Sequence, residues 1–233
     1  MTAPTFHYSR IVDLSRSLVP SEEQHPWVRF DTQIDSIVND PETAPASGRW
    51  YVVTQIRMSG HAGTHVEAPL HAVENGAAVG ELPVEQFFGE AAILDLSDVP
   101  WSMPIERPRL EKAAAQVGGI RAGDIVFIYF GWDRRAATEG GGPPYPTPDA
   151  LQWLVDPGIK LLGIDSPGLE VPGSRELINH HILFDRRIPL IESLVHLEDL
   201  HENRVYVFAQ PLPVLGTDAI PLRVLAFEGT SNS

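Results

Sequence analysis

The segment from residue 61 to 71 reads His-Ala-Gly-Thr-His-Val-Glu-Ala-Pro-Leu-His, and it limits the fold more than any other stretch of this chain. Four groups in it, His61, His65, Glu67 and His71, fall on odd positions, so an extended backbone would direct all of them to one side. A straight strand, at about 3.3 Å per residue, would still leave His61 and His65 roughly 13 Å apart. Nitrogens that share one ion lie only ~2 Å from it, so a shared cation requires the chain to bend between them. Gly63 has the backbone freedom for that bend, and Pro69 stiffens the exit. A helical H-x-x-x-H reading is the poorer one, because Gly63 and Thr64 interrupt it and no apolar stripe of helical period surrounds it. The segment reads as a strand end folded around an ion, with His65 and Glu67 on one face.

Three of the nine histidines of the chain fall in this segment, interleaved with a carboxylate. His7, His25, His196 and His201, taken singly, read as ordinary hydrogen-bonded residues. The chain has no cysteine, which excludes disulfides, thiolate metal sites and a cysteine nucleophile together. A ligand set of imidazole and carboxylate suits Zn²⁺, Mn²⁺ or Fe²⁺. Three protein ligands leave a coordination position open for water, the arrangement of a catalytic rather than a structural ion.

The rest of the chain sets limits on partners and architecture. A formal net charge of −14 argues against nucleic acid, whose binding needs clustered Lys and Arg to displace counterions. No run of ~18 apolar residues predicts a membrane span, and the N-terminus lacks a signal-peptide pattern, so a cytoplasmic protein is expected. One domain over residues 1–233 is expected, because no low-complexity break divides the chain. Strand patterns occur at Arg10 to Leu14, Trp50 to Met58, Ala91 to Leu96, Ile125 to Phe130, Lys160 to Asp165, Ile188 to Glu192 and Val205 to Ala209. Leu110, Ala113, Ala114 and Val117 recur at helical spacing after Pro108, and Thr147-Pro148 reads as an N-cap and first turn of a helix to about Val155. The segments 20–49 and 133–148 read as surface loops bordering a pocket. The fold class expected is α/β (α+β).

The segment 61–71 resembles the signature H-x-G-[TA]-H-x-D-x-P-x-H of the cyclase-like metal hydrolases, the family of bacterial kynurenine formamidase and isatin hydrolase. His61, Gly63, Thr64, His65, Pro69 and His71 match; Glu67 departs from the family Asp. The resemblance extends to Arg10-Ile-Val-Asp-Leu-Ser15, to residues 123–133, to Gly163-Ile-Asp-Ser-Pro167, and to His180 through Glu192, which is similar to H-x-x-L-L-x-x-x-I-x-I-x-E. His180 has the matching spacing to Glu192; His181 does not. The resemblance implies His61, His65 and Glu67 as one ligand cluster and His180 with Glu192 as another, around one or two Zn²⁺ or Mn²⁺ ions, with Glu67 or Glu192 able to bridge. It implies His71 as the proton shuttle, a swivelling β/β/α architecture and a homo-oligomer, dimer or tetramer.

The function expected is hydrolysis of a small-molecule amide, cyclic amide or imide, or lactone by water activated at the ion. Kynurenine formamidase activity is the alternative implied by resemblance, and a catalytically decayed metal-binding or scaffold protein is a third reading. No G-x-S-x-G elbow, phosphate loop or dinucleotide fingerprint is present, so serine hydrolase, nucleotidase and dehydrogenase readings fall away. Asp165 and Ser166, at a strand end, and the aromatics Trp27 and Phe30 are candidate substrate-contacting residues. Glu170 reads either as a residue supporting the ligands from behind or as a solvated charge, the second being preferred.

Overall fold

Ile125–Tyr129 is apolar at every position but its last, the composition of a strand buried on both faces, and it lies at the middle of the structure. A computed structural model describes residues 6–19, 30–36, 52–135, 141–229 and 231–232. Nine of its strands join in one mixed sheet, in the spatial order Ala219–Pro221, His65–Glu67, Leu190–Glu192, Leu161–Ile164, Ile125–Tyr129, Phe88–Asp95, Arg204–Phe208, Leu225–Glu228 and Arg10–Asp13. The strands from Leu190–Glu192 to Phe88–Asp95 run parallel to their neighbours within that group. Both flanks are antiparallel.

Each face of the sheet has its own core. On one face Leu94, Val126, Ile128 and Leu162 pack under the helices Arg107–Gln116, Pro148–Val155 and Ile178–Phe184. The first two helices begin as expected, with Pro in the opening turn, and Thr147 Oγ1 accepts from the Ala150 N–H. On the other face Val66, close to one edge, and Val12, at the opposite edge, belong to the same buried cluster as Ile93, Phe127 and Val207. The sheet therefore curls until its ends share a core. The mixed α/β class expected from the sequence is the one found.

Some expectations change. The strand Phe30–Ser36 pairs antiparallel with Val52–Met58, so part of the 20–49 segment is a ribbon; pairing with a regular partner strand outweighs its Asp and Ser content. Trp132–Arg135 is helical and Tyr145–Pro146 forms a short strand beside Pro104–Ile105 within the second expected loop. Leu225–Glu228, Ala219–Pro221 and the helix Ile178–Phe184 are additional elements. Among the described residues no helix is long and apolar enough to cross a membrane.

Gly163 lies in a central parallel strand where a Cβ would stand 2.5 Å from the Phe127 ring and 2.9 Å from Leu194 Cδ1. Gly163→Ala overpacks that contact and is expected to cost about 1–3 kcal/mol of unfolding free energy, read from denaturant melts. A loss below a few tenths would show that the core around Phe127 and Leu194 is loosely packed.

Candidate metal centre

Strand pairing assembles the cluster. His65–Glu67 lies between Leu190–Glu192 and Ala219–Pro221, in a register that sets His65 directly opposite Glu192. The bend that a shared ion requires is present: Gly63 adopts φ +62, and the His61 and His65 ring centroids are 5.0 Å apart. Gly60 has a separate reason to be glycine, since a Cβ there would lie 2.4 Å from the Ala219 carbonyl oxygen. Beyond Glu67 the chain turns at Pro69 into a short 3-10 helix, Pro69–His71, that returns His71 to the same side. The helix Ile178–Phe184 brings His180 inward and leaves His181 half-exposed beside Asp185.

Glu67 is the centre of the group. Its Oε1 lies 2.9 Å from His61 Nδ1, 3.6 Å from His65 Nε2 and 3.7 Å from His71 Nε2. Its Oε2 stands 3.5 Å from His180 Nε2 and has no hydrogen-bond partner, although it is buried. Glu192 Oε2 is 3.7 Å from His65 Nε2. Among the described residues, ligand-type atoms fall within 4.8 Å of one another in two groups, His61, Glu67 and His71, and His65, Glu67 and Glu192, which share Glu67. An unpartnered buried carboxylate oxygen facing imidazole nitrogens fits a cation, because leaving such an oxygen dry and unpaired is costly. Nitrogen and carboxylate donors with no sulfur fit Zn²⁺ or Mn²⁺.

A second layer orients the rings. His65 Nδ1 is 2.9 Å from the Gly63 carbonyl oxygen, so that nitrogen carries the proton and Nε2 presents its lone pair inward, 3.3 Å from His61 Nδ1. His180 Nδ1 is 2.9 Å from Glu170 Oε2, which leaves His180 Nε2 toward Glu67. Glu170 is therefore no solvated charge. Its carboxylate also accepts the backbone N–H groups of Asn179 and His180, capping the helix that carries the histidine. Asp218, which no sequence pattern indicated, joins His61 Nε2 at 3.0 Å and His71 Nδ1 at 3.1 Å through one oxygen.

Asp165 and Ser166 take other duties. Both are buried; the Asp165 carboxylate accepts the backbone N–H groups of Phe130 and Trp132, and the Ser166 hydroxyl donates to the Gly168 carbonyl. Burial pushes the Asp165 carboxyl up to about 6 against those bonds. These bonds tie both side chains to the strand-end turn. Trp27 lies outside the described residues; Phe30 enters through its backbone, paired with Met58.

The charges of the cluster are interdependent. The Glu67 carboxylate raises His61 to about 9 against the opposing effect of burial, with Asp218 adding to the rise. Burial alone would lower His180, but Glu170 and Glu67 together raise it to about 9. Burial would raise Glu67, and its imidazole neighbours hold it well below the usual carboxylate range. Burial and the Glu67 charge push Glu192 well above that range.

The fold and the site define a mixed α/β protein whose curled sheet carries a buried cluster of histidines and glutamates. Residues 12–171 match the family model described as "Putative cyclase"; the chain belongs to this family. It is similar to a kynurenine formamidase of Salinibacter ruber, at 30% identity over 232 residues that cover 92% of this chain and 96% of that one. Among solved structures it is similar to isatin hydrolase A from Labrenzia aggregata, with TM-score 0.76 and 25% identity over 94% of this chain and 93% of the other. It is also similar to a predicted metal-dependent hydrolase from Bacillus stearothermophilus, with TM-score 0.70 and 28% identity over 96% and 99% of the two chains.

Two outcomes follow from the geometry. Protons held on His61 and His180 up to about pH 9 must leave when a cation takes those nitrogens. Apparent Zn²⁺ affinity, measured by competition with a chromogenic chelator, is thus expected to tighten as pH rises from 6.5 toward 9. In the metal-free protein the same protons stabilise the fold fully below ~6.5 and progressively less as pH rises through 9. Separately, Glu170→Gln should weaken metal binding about 10- to 100-fold, with the secondary structure by circular dichroism unchanged. An affinity flat with pH, or unchanged in Glu170→Gln, would contradict these assignments.

Proposed function

We propose that this chain is a divalent-metal-dependent hydrolase of a small-molecule amide, cyclic amide or imide, or lactone. The observation that carries the reading is the position of Glu67, whose Oε1 faces His61, His65 and His71 and whose buried Oε2 faces His180. His61, His65 and Glu67 would hold one ion, and His180 and Glu192, on the other side of Glu67, a second. Glutamate in place of the family aspartate keeps this reach: one carboxylate oxygen faces His61 and the other His180. Zn²⁺ or Mn²⁺ is the ion that the donor chemistry favours.

A divalent ion held by these residues would lower the pKa of bound water from 15.7 to about 7 and polarise the carbonyl under attack. The chain's own residues do the rest. His71 lies beside the cluster with Nε2 turned toward it, placed to accept the proton of the attacking water and return it to the leaving nitrogen or oxygen. Buried Val66 and Ala68 alternate with His65 and Glu67, excluding water from the sheet side of the cluster. The narrower reading, hydrolysis of N-formylkynurenine, draws support from the similarity to the Salinibacter ruber enzyme over nearly the whole of both chains. The similarity to an isatin hydrolase favours a cyclic amide.

The family match over residues 12–171 and a sheet that joins strands from Arg10–Asp13 to Leu225–Glu228 support a single catalytic domain over the chain. A homo-oligomer is supported by an aromatic face on which Phe6 packs near Tyr206, Phe208 and Phe227 while Phe6, Tyr8 and Phe208 stay exposed.

The test is hydrolysis of N-formylkynurenine, isatin, simple imides and lactones by purified protein, abolished by chelator and restored by Mn²⁺ or Zn²⁺. His61→Ala and His65→Ala should lose metal and activity together. His71→Ala should keep its metal and lose about 10²- to 10⁴-fold in turnover. Metal-replete protein without activity on any of these bonds would favour the decayed, metal-binding reading instead.

A further inference from the structure

Asp218 stands outside every motif of the chain, yet its backbone is tied to the segment that carries the cluster. Its carbonyl accepts the Ala68 N–H at 2.8 Å, and the Thr217 carbonyl accepts that of Val79. The following residues, Ala219–Pro221, pair with His65–Glu67, so Asp218 lies one step beyond the pairing, beside the turn into Pro69–His71. The His71 N–H in turn donates to the Ala68 carbonyl. Backbone bonds thus set the distance between Asp218 and His71.

The side chains complete this connection. Asp218 Oδ2 is 3.1 Å from His71 Nδ1, and His71 Nε2 is 3.7 Å from Glu67 Oε1. Among the described residues these are the carboxylates in ion-pair reach of His71, one on each ring nitrogen. An ionised carboxylate can only accept, so it selects the tautomer that bears its proton on Nδ1 and leaves the Nε2 lone pair toward the cluster. The same Oδ2 accepts a hydrogen bond from His61 Nε2–H at 3.0 Å, turning His61 Nδ1 toward Glu67 at 2.9 Å. Asp218 is itself about half-exposed, at the outer side of the cluster.

We propose that Asp218 is a positioning residue that fixes the tautomer and ring orientation of His71, so that Nε2 is the atom through which the reaction's proton passes. This rests on the shuttle role proposed for His71. The Asp218–His71 pair is an acceptor, ring and reacting atom in line, the logic by which a carboxylate keeps a general-base histidine in its working tautomer. The reaction in question is the addition of water across the scissile C–N or C–O bond. His71 takes one proton from water at Nε2 and gives it to the leaving atom, and Asp218 keeps its own charge throughout.

The experiment uses zinc-loaded full-length protein labelled with ¹⁵N at histidine. Long-range ¹H–¹⁵N spectra, with His71 assigned by its loss in His71→Ala, should show the Nδ1–H tautomer in the wild type. Asp218→Ala, held at saturating zinc because Asp218 also orients His61, should lose it. Asp218→Asn, nearly isosteric and able to accept through Oδ1, should fall between the two. On whichever of isatin or N-formylkynurenine the protein turns over, Asp218→Ala should lower kcat about 10- to 100-fold at constant KM. The His71→Ala/Asp218→Ala double variant should be no slower than His71→Ala alone. An unchanged His71 tautomer in Asp218→Ala, or losses that multiply in the double variant, would overturn the proposal. Full activity of His71→Ala would instead overturn the shuttle reading beneath it, a result the tautomer measurement separates from the first.

Discussion

A single carboxylate buried among imidazoles organises this structure. Removing the Glu67 charge from water is expensive unless partners surround it. The partners here are His61, His65, His71 and His180, contributed by a glycine-bent turn, a strand, a 3-10 helix and an α-helix. Those elements must converge for the charge to be tolerated at all. In the absence of a cation protons fill part of that role, which is why His61 and His180 hold theirs to about 9. A cation replaces protons by a stronger and more directional charge, so a cluster that gathers protons in its absence fits an ion.

The curled sheet supplies the rigidity. Parallel strands at its centre are buried on both faces, and antiparallel flanks bring Glu192, His65 and the Asp218 segment into register across three strands. Outside the first ring of groups lies a second, made of the Gly63 carbonyl, Glu170 and Asp218, each holding the nitrogen that a histidine does not direct inward. Ligand atoms fixed in this manner lose little freedom when a substrate arrives, the property on which a positioned water and a positioned base depend.

Much of the centre was legible in the sequence because local spacing encodes it. The odd-position pattern from His61 to His71, with Gly63 at the bend, pointed to one half of the cluster, and the family resemblance, through the twelve-residue interval from His180 to Glu192, implied the other. The apolar run at Ile125–Tyr129 and the Thr147-Pro148 cap likewise located a strand and a helix. What was hidden depends on contacts remote in sequence. Asp218 reaches His71 across 147 positions through sheet pairing that no local pattern announces. Glu170 looked like a surface charge because the helix it caps is only seven residues long and opens at Leu177 in a left-handed conformation, without an N-cap side chain. Asp165 and Ser166 looked available at a strand end, and only the fold shows their polar atoms turned to the backbone.

The most direct measurement is anomalous diffraction from crystals grown with Mn²⁺ or Zn²⁺. The account predicts anomalous peaks against Glu67, one toward His61 and His65 and one toward His180 and Glu192. Peaks elsewhere in the molecule, with the Glu67 carboxylate bonded to protein alone, would contradict it.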